Sequence, residues 1–254
     1  MEKRRLHVCL TPALLPTFRV EEYVVVVIDI LRATTSMCVA FGHKVASIVP
    51  VETVDECAAW KERGYLGAAE RNGEMIPGFD FGNSPFSYMR DDIAGKHIAM
   101  TTTNGTQALH QAHRLGAQQI IIGAFSNMSV LNEYLLSVEQ HVLLLCSGWK
   151  QRLNMEDTIF AGAIARTIGG QFDAMDDAAQ VARTFYWSAN LQKRRFFERS
   201  SHYNRLVHLN LQNDVKYCLQ RDTQAVLPMY RDGRILDALA PNYTSLLSEP
   251  VIAS

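Results

Sequence analysis

Six short apolar runs recur along the chain, and they constrain its fold more than any other feature. YVVVVIDI (23–30), VASIVPV (45–51), a weaker YLGAA (65–69), HIAMT (97–101), QQIIIGA (118–124) and HVLLLC (141–146) each have the length of a strand. They lack the polar–apolar alternation of a strand with one wet face, so they read as strands buried on both faces, as in a parallel sheet. Helical spacing fills most of the gaps. Ala108, Leu109, Ala112 and Leu115 follow Asn104 at helical intervals, and Gly116 ends that run. Asn127 or Ser129 can cap a helix through VLNEYLLS. Asp157 stands near the start of TIFAGAIARTIGG, where its charge favours a helix N-terminus. Strands alternating with helices imply βα units, so the expected fold class is α/β, a mostly parallel sheet flanked by helices.

From about residue 173 the texture changes. DDAAQVARTFYWSANLQKRRFFERSSHYNRL and NDVKYCLQRD read as helices, and AVLPMYRDGRILDAL as two short strands joined through Asp232-Gly233, a hairpin signal. The expected organisation is a catalytic sheet portion over 1–172 with a helical and hairpin portion over 173–254 packed on it, as a cap or as a surface for a homodimer. The two can form one continuous domain. A formal charge of −1 gives no electrostatic reason to expect nucleic acid or an acidic membrane as partner. The one basic run, KRR at 193–195, reads as a solvated helix face. The cysteines at 9, 38, 57, 146 and 218 are scattered, with no Cys-x-x-Cys pair, which suits reduced thiols in a cytoplasmic protein. The N-terminal MEKRRLHVCLTPALLP is too short in its apolar part, and too broken by Pro12 and Pro16, for a signal peptide or a membrane span.

In open α/β sheets, ligands bind outside the carboxyl ends of the strands. Here those ends carry one kind of chemistry. The first major strand delivers Asp29, then Arg32, Thr34 and Thr35. YLGAA leads to Glu70-Arg71, HIAMT to Thr102, Thr103 and Asn104, QQIIIGA to Ser126 and Asn127, and HVLLLC to Ser147 and Gly148, with Glu156-Asp157 a short loop later. Carboxylates, hydroxyls and helix N-termini converging on one rim suit an anion and a hard cation. Two phosphatase signatures fit poorly. In Asp29-Ile30-Leu31-Arg32-Ala33 a leucine occupies the position where an Asp-x-Asp phosphatase needs a proton donor. Cys146 to Arg152 has the spacing of a cysteine phosphatase loop, but Leu145 and Trp149 replace its histidine and central glycine. The wholly apolar strand before Cys146 suits a buried structural thiol better.

IDILRATTSM, GFDFGNSP (78–85), TTTNGT (101–106) and EDTIFAG (156–162), followed by SSHYNRL, NDVKYC and VLPMY, resemble the 2-phosphosulfolactate phosphatase family in order over residues 24 to 230. The resemblance implies an α/β fold and Mg²⁺-dependent hydrolysis of a small anionic phosphate ester. It also implies a named reaction, 2-phospho-3-sulfolactate to 3-sulfolactate and phosphate, on the way to coenzyme M.

Mg²⁺ takes oxygen ligands and keeps several waters, so one to three carboxylates suffice. Asp29 is the first candidate ligand, then Glu70, Asp80, Glu156 and Asp157. An Asx-turn is the bland alternative for Asp80, and helix capping for Glu156 or Asp157. Thr102, Thr103, Asn104 and Gly105 form a strand-to-helix corner suited to a phosphate dianion, with plain N-capping as the alternative. Thr34, Thr35, Asn83 and Ser84 are further substrate-binding candidates. Arg32 and Arg71 are candidate clamps for the acid groups, with Lys150 and Arg152 behind them. His202 can protonate a leaving oxygen, as an alternative to a structural histidine, and Asp29, Glu70 and Asp157 complete the catalytic candidates. Two other functions compete: a cysteine-dependent phosphatase using Cys146 and Arg152, and a non-catalytic anion-binding regulatory protein.

Overall fold

The valines of the first major strand have no polar face to offer water, and all six residues Tyr23–Ile28 are buried. His141–Cys146, beside it in the sheet, is likewise buried throughout. Each such Val, Leu or Ile contributes about 1.5–3 kcal/mol when removed from water. The computed structural model of the protein describes residues 4–192 and 199–248; the basic run 193–195 lies outside them.

The strands are β1 (Arg5–Cys9), β2 (Tyr23–Ile28), β3 (Ser47–Pro50), β4 (Leu66–Arg71), β5 (Glu74–Met75) and β6 (His97–Thr101), then β7 (Gln119–Gly123), β8 (His141–Cys146), β9 (Ala174–Met175), β10 (Pro228–Arg231) and β11 (Arg234–Asp237). The helices are α1 (Ala33–Gly42), α2 (Val54–Glu62), α3 (Gly105–Arg114), α4 (Met128–Ser137) and α5 (Met155–Ile168), then α6 (Asp177–Gln192), α7 (Ser201–His208), α8 (Gln212–Cys218) and α9 (Tyr243–Ser248). The protein is α/β, with one large, mostly parallel sheet in the order β5-β4-β6-β3-β11-β10-β7-β2-β8-β1-β9. RLHVC, set aside above as a broken apolar stretch, forms β1 and pairs in parallel with β8.

The hairpin foreseen around Asp232-Gly233 forms, with both turn residues in the left-handed region (φ 48° and 85°). It does not cap the sheet from outside. β11 pairs with β3 and β10 with β7, so the hairpin joins two parallel halves from within. Met229, Ile235 and Leu236 are buried there. The chain beyond 173 therefore completes the same sheet. On its outer layer α6 packs on α5, and Gly162 permits the approach: a Cβ there would lie 2.0 Å from the Ala182 carbonyl oxygen. Among the described residues no helix is long and apolar enough to cross a membrane.

Candidate active site

Strand register sets the site. Ile28 lies opposite both Gly123 and Cys146, so Asp29 and Ser147 emerge along one edge. Ala69 lies opposite Thr101, so Glu70 and Thr102 emerge together elsewhere on the sheet. Helix α3 brings the second group to the first by packing across β2 and β7. A Cβ on Gly105 would sit 2.8 Å from Ala33 Cβ and 3.0 Å from Asp29 Oδ2, so a glycine is needed where α3 begins against Asp29. A cavity of about 160 Å³ results, lined by Asp29, Glu70, Thr102, Thr103 and Asn104 among others.

At the first corner Asp29 is buried, and its carboxylate accepts the Ala33 N–H. Burial pushes this carboxyl up to about 6; His202 and the Ala33 N–H pull the other way, while Glu156 and Glu70 push it further up. Thr34 and Thr35 do not line the cavity. Thr34 Oγ1 donates to the Asp29 carbonyl (2.9 Å) and accepts the Asp29 N–H (3.0 Å), and Thr35 Oγ1 donates to the Ile30 carbonyl (3.0 Å). These hydroxyls build the corner rather than meet a ligand. Ser36 of the same helix donates to the Asn83 carbonyl at 2.8 Å and holds the 78–85 loop against α1. Asn83 lines the cavity, and its Oδ1 is buried without a hydrogen-bond partner among the described residues. Ser84 does not line it; its carbonyl accepts the Ser87 N–H in a short turn.

At the second corner the capping role foreseen for the threonines falls to one of them. Thr102 Oγ1 accepts the Thr106 N–H at 3.0 Å, and Thr106 Oγ1 donates back to the Thr102 carbonyl at 3.0 Å. Asn104, the residue at the helix start, makes no side-chain capping bond, so its amide and the exposed Thr103 hydroxyl remain available to the cavity. Glu70 also faces it, with Oε1 accepting the Gly73 N–H.

Beneath lies a polar floor. Asp157 is wholly buried and fully engaged: Oδ1 accepts the Ile30 N–H (2.9 Å), and Oδ2 accepts the Gly148 N–H (3.0 Å) and the Asn154 Nδ2–H (2.9 Å). Burial, then Asp29 and Glu156, push its carboxyl well above the usual range. It ties β2 to the loop after β8 and does not line the cavity. Asn154, not Asp157, caps α5. Glu156 is wholly buried; Oε1 pairs with His202 Nδ1, and Oε2 has no partner among the described residues. His202 lines the cavity, with its ring stacked on Trp149 at 5.6 Å and 9°.

The cationic candidates separate. Arg32 lines the cavity, but its charge is spent on Asp214 (2.6 Å) and the Gly73 carbonyl (2.9 Å). Lys150 lines the cavity, whereas Arg71 and Arg152 are exposed and do not. Asp80 lies outside as well, bound to Lys61 Nζ (2.9 Å) and the Gly67 N–H (2.8 Å). Partial burial would raise its carboxyl, but these partners outweigh that and hold it below its ordinary value. Cys146 is buried in the core, and desolvation raises its thiol well above the ordinary value. A buried thiol held in its neutral form disfavours the cysteine-dependent reading. Trp149, Arg205 and Asn72 line the cavity without having been singled out from the sequence. Arg205 had a signal, one helical turn beyond His202 in SSHYNRL.

Among the described residues no group of three or more His, Cys, Asp or Glu is arranged as a ready metal cage. The donor set still suits a hard cation. Asp29 and Glu70 face one small cavity that also presents the Asn104 amide, and two carboxylates there would repel a phosphate ester unless a cation lay between. Mg²⁺ needs only one or two carboxylates when substrate phosphate and waters supply the rest.

Residues 9–233 match the 2-phosphosulpholactate phosphatase family. A probable 2-phosphosulfolactate phosphatase from Thermotoga maritima is 35% identical over 218 residues, covering 86% of this chain and 93% of the relative. Proteins of the same name from Clostridium acetobutylicum (34% over 224 residues, 86% and 94% covered) and Symbiobacterium thermophilum (33% over 219 residues, 84% and 93% covered) are similar to it.

Proposed function

The chain belongs to the 2-phosphosulpholactate phosphatase family, a family of phosphoric monoester hydrolases, and from that premise we propose that it hydrolyses the phosphate ester of a small hydroxy acid with Mg²⁺. The specific reaction proposed is 2-phospho-3-sulfolactate and water to 3-sulfolactate and phosphate, a step toward coenzyme M in a cytoplasmic setting. One observation carries the reading: Asp29, Glu70, Asn104 and His202, from four separate segments, line a single cavity.

Asp29 and Glu70 would hold the ion. The chemistry it supplies there is neutralisation of phosphoryl charge and polarisation of a phosphoryl oxygen. The remaining work belongs to the chain. The Asn104 amide, the Thr103 hydroxyl and the positive end of α3 bind the phosphoryl oxygens. Glu156 holds His202 by Nδ1, which leaves Nε2 to give a proton to the departing alkoxide. Glu70, less enclosed than Asp29, orients the attacking water from the cavity side. A purely anion-binding regulatory protein has no use for carboxylates in its pocket, which disfavours that alternative.

Phosphate release from 2-phospho-3-sulfolactate tests the proposal. It should cease in EDTA, return with Mg²⁺ and be lost in Asp29→Ala. Undiminished turnover in EDTA would remove the metal, and undiminished turnover in Asp29→Ala would remove the site.

A further inference from the structure

The wall around Trp149 is built, and at a conformational cost. Trp149 and Arg152 close a two-residue turn: the Trp149 N–H donates to the Arg152 carbonyl at 2.8 Å and the Arg152 N–H to the Trp149 carbonyl at 3.1 Å. The two residues between them, Lys150 and Gln151, are both left-handed, with φ 53° and 59°. A turn of that kind selects Asn and Gly, and a Lys-Gln pair occupies it under strain. Such strain concentrates where a site dictates the backbone. This turn delivers Trp149 and Lys150 to the cavity, with the Lys150 ammonium 4.9 Å from the indole centre. Helix α7 delivers Arg205 to the same ring, its guanidinium carbon 5.7 Å from the centre.

The two cations differ from Arg32 in one decisive respect. Arg32 is neutralised by Asp214 within the protein. Lys150 and Arg205 line the cavity, and among the described residues neither side chain has an ion pair or hydrogen bond. The cavity is thus lined both by carboxylates with the Asn104 corner and by unneutralised cations about an aromatic ring. An arginine resting on an indole keeps its N–H edge free for an oxyanion, and the ring limits competing water.

We propose that Lys150 and Arg205, positioned by Trp149, are the specificity-determining residues that read a second acid group, carboxylate or sulfonate, on the alcohol part of the ester. This rests on the phosphatase reading above and names the residues behind its substrate preference.

The test compares two esters of like shape, 2-phospholactate and isopropyl phosphate, which differ by the carboxylate alone. In Lys150→Ala/Arg205→Ala the ratio of their kcat/KM values should fall about 100-fold, with most of the change in KM for the acidic ester. Arg205→Lys should restore part of it. An unchanged ratio overturns the proposal, whatever happens to the absolute rates. A second arm needs no turnover: calorimetry with 3-sulfolactate should show binding to the natural protein and at least roughly tenfold weaker binding to the double variant. If neither ester nor 2-phospho-3-sulfolactate yields phosphate and that loss of binding is still seen, the phosphatase reading fails while Lys150 and Arg205 keep the recognition of an acid group. Equal affinity of the two proteins for 3-sulfolactate overturns it.

Discussion

The two hydroxyl-rich corners, IDILRATTSM after β2 and TTTNGT after β6, look alike in sequence and are put to different use. At the first, both threonine hydroxyls are consumed by the backbone, and the reactive group is the carboxylate they frame, Asp29. At the second, the Thr102–Thr106 pair does the capping and so releases Thr103 and Asn104 toward the cavity. Serine and threonine hydroxyls satisfy nearby backbone groups first. Their neighbours are then left facing the cavity: the proposed cation side in one corner, the proposed anion side in the other.

The two corners should differ most at Asp29. Asp29→Asn should lower kcat about 10³-fold or more, because it removes a ligand charge and leaves the shape intact. The same change should stabilise the cation-free protein at pH 7 by about 2–3 kcal/mol. The sign follows from its raised carboxyl: with an ordinary value of 3.8 unfolded and about 6 folded, the cost is absent below pH 4 and grows as pH rises to 6. Thermal melts of both proteins in EDTA from pH 4 to 7.5 should therefore converge at the acid end and diverge toward neutrality; parallel curves would contradict the burial of this charge. Gly105→Ala forces the corners apart and should cost about 1–3 kcal/mol in denaturant midpoints along with a loss of activity. Thr34→Val, which leaves the Asp29 N–H and carbonyl without the hydroxyl, should cost about 1–2 kcal/mol of stability. Asn104→Ala reverses the pattern: the melt should barely move, while the Kd for inorganic phosphate in Mg²⁺ rises by about fivefold to tenfold. If Thr34→Val weakened phosphate more than Asn104→Ala, the roles assigned to the two corners would be exchanged.

The parallel strands were legible because VVVVI and HVLLLC admit no wet face, and the hairpin because Asp232-Gly233 favours the left-handed turn it adopts. Its place was not legible. Nothing local says that MYR and ILD pair with β7 and β3 rather than lie on top, since that choice is made by long-range burial. The same limit applies to the site. Asp29, Glu70 and Asn104 could be read from their positions at strand ends, whereas the engagement of Asp157 away from the cavity depends on three N–H donors from two segments, Ile30 after β2 and Gly148 and Asn154 in the loop after β8. Likewise Arg71 and Arg205 are both arginines beside a motif. Only α7 turning toward Trp149 brings the second into the cavity and leaves the first in solvent.

On the proposed function, the Asn104 amide and two carboxylates share one small cavity through a divalent ion. Calorimetric titration of inorganic phosphate into the natural protein, with Mg²⁺ and then in EDTA, measures this directly. The predicted result is binding with Mg²⁺ and none measurable in EDTA, because Asp29 and Glu70 repel an uncompensated dianion. Equal phosphate affinity under both conditions would contradict it.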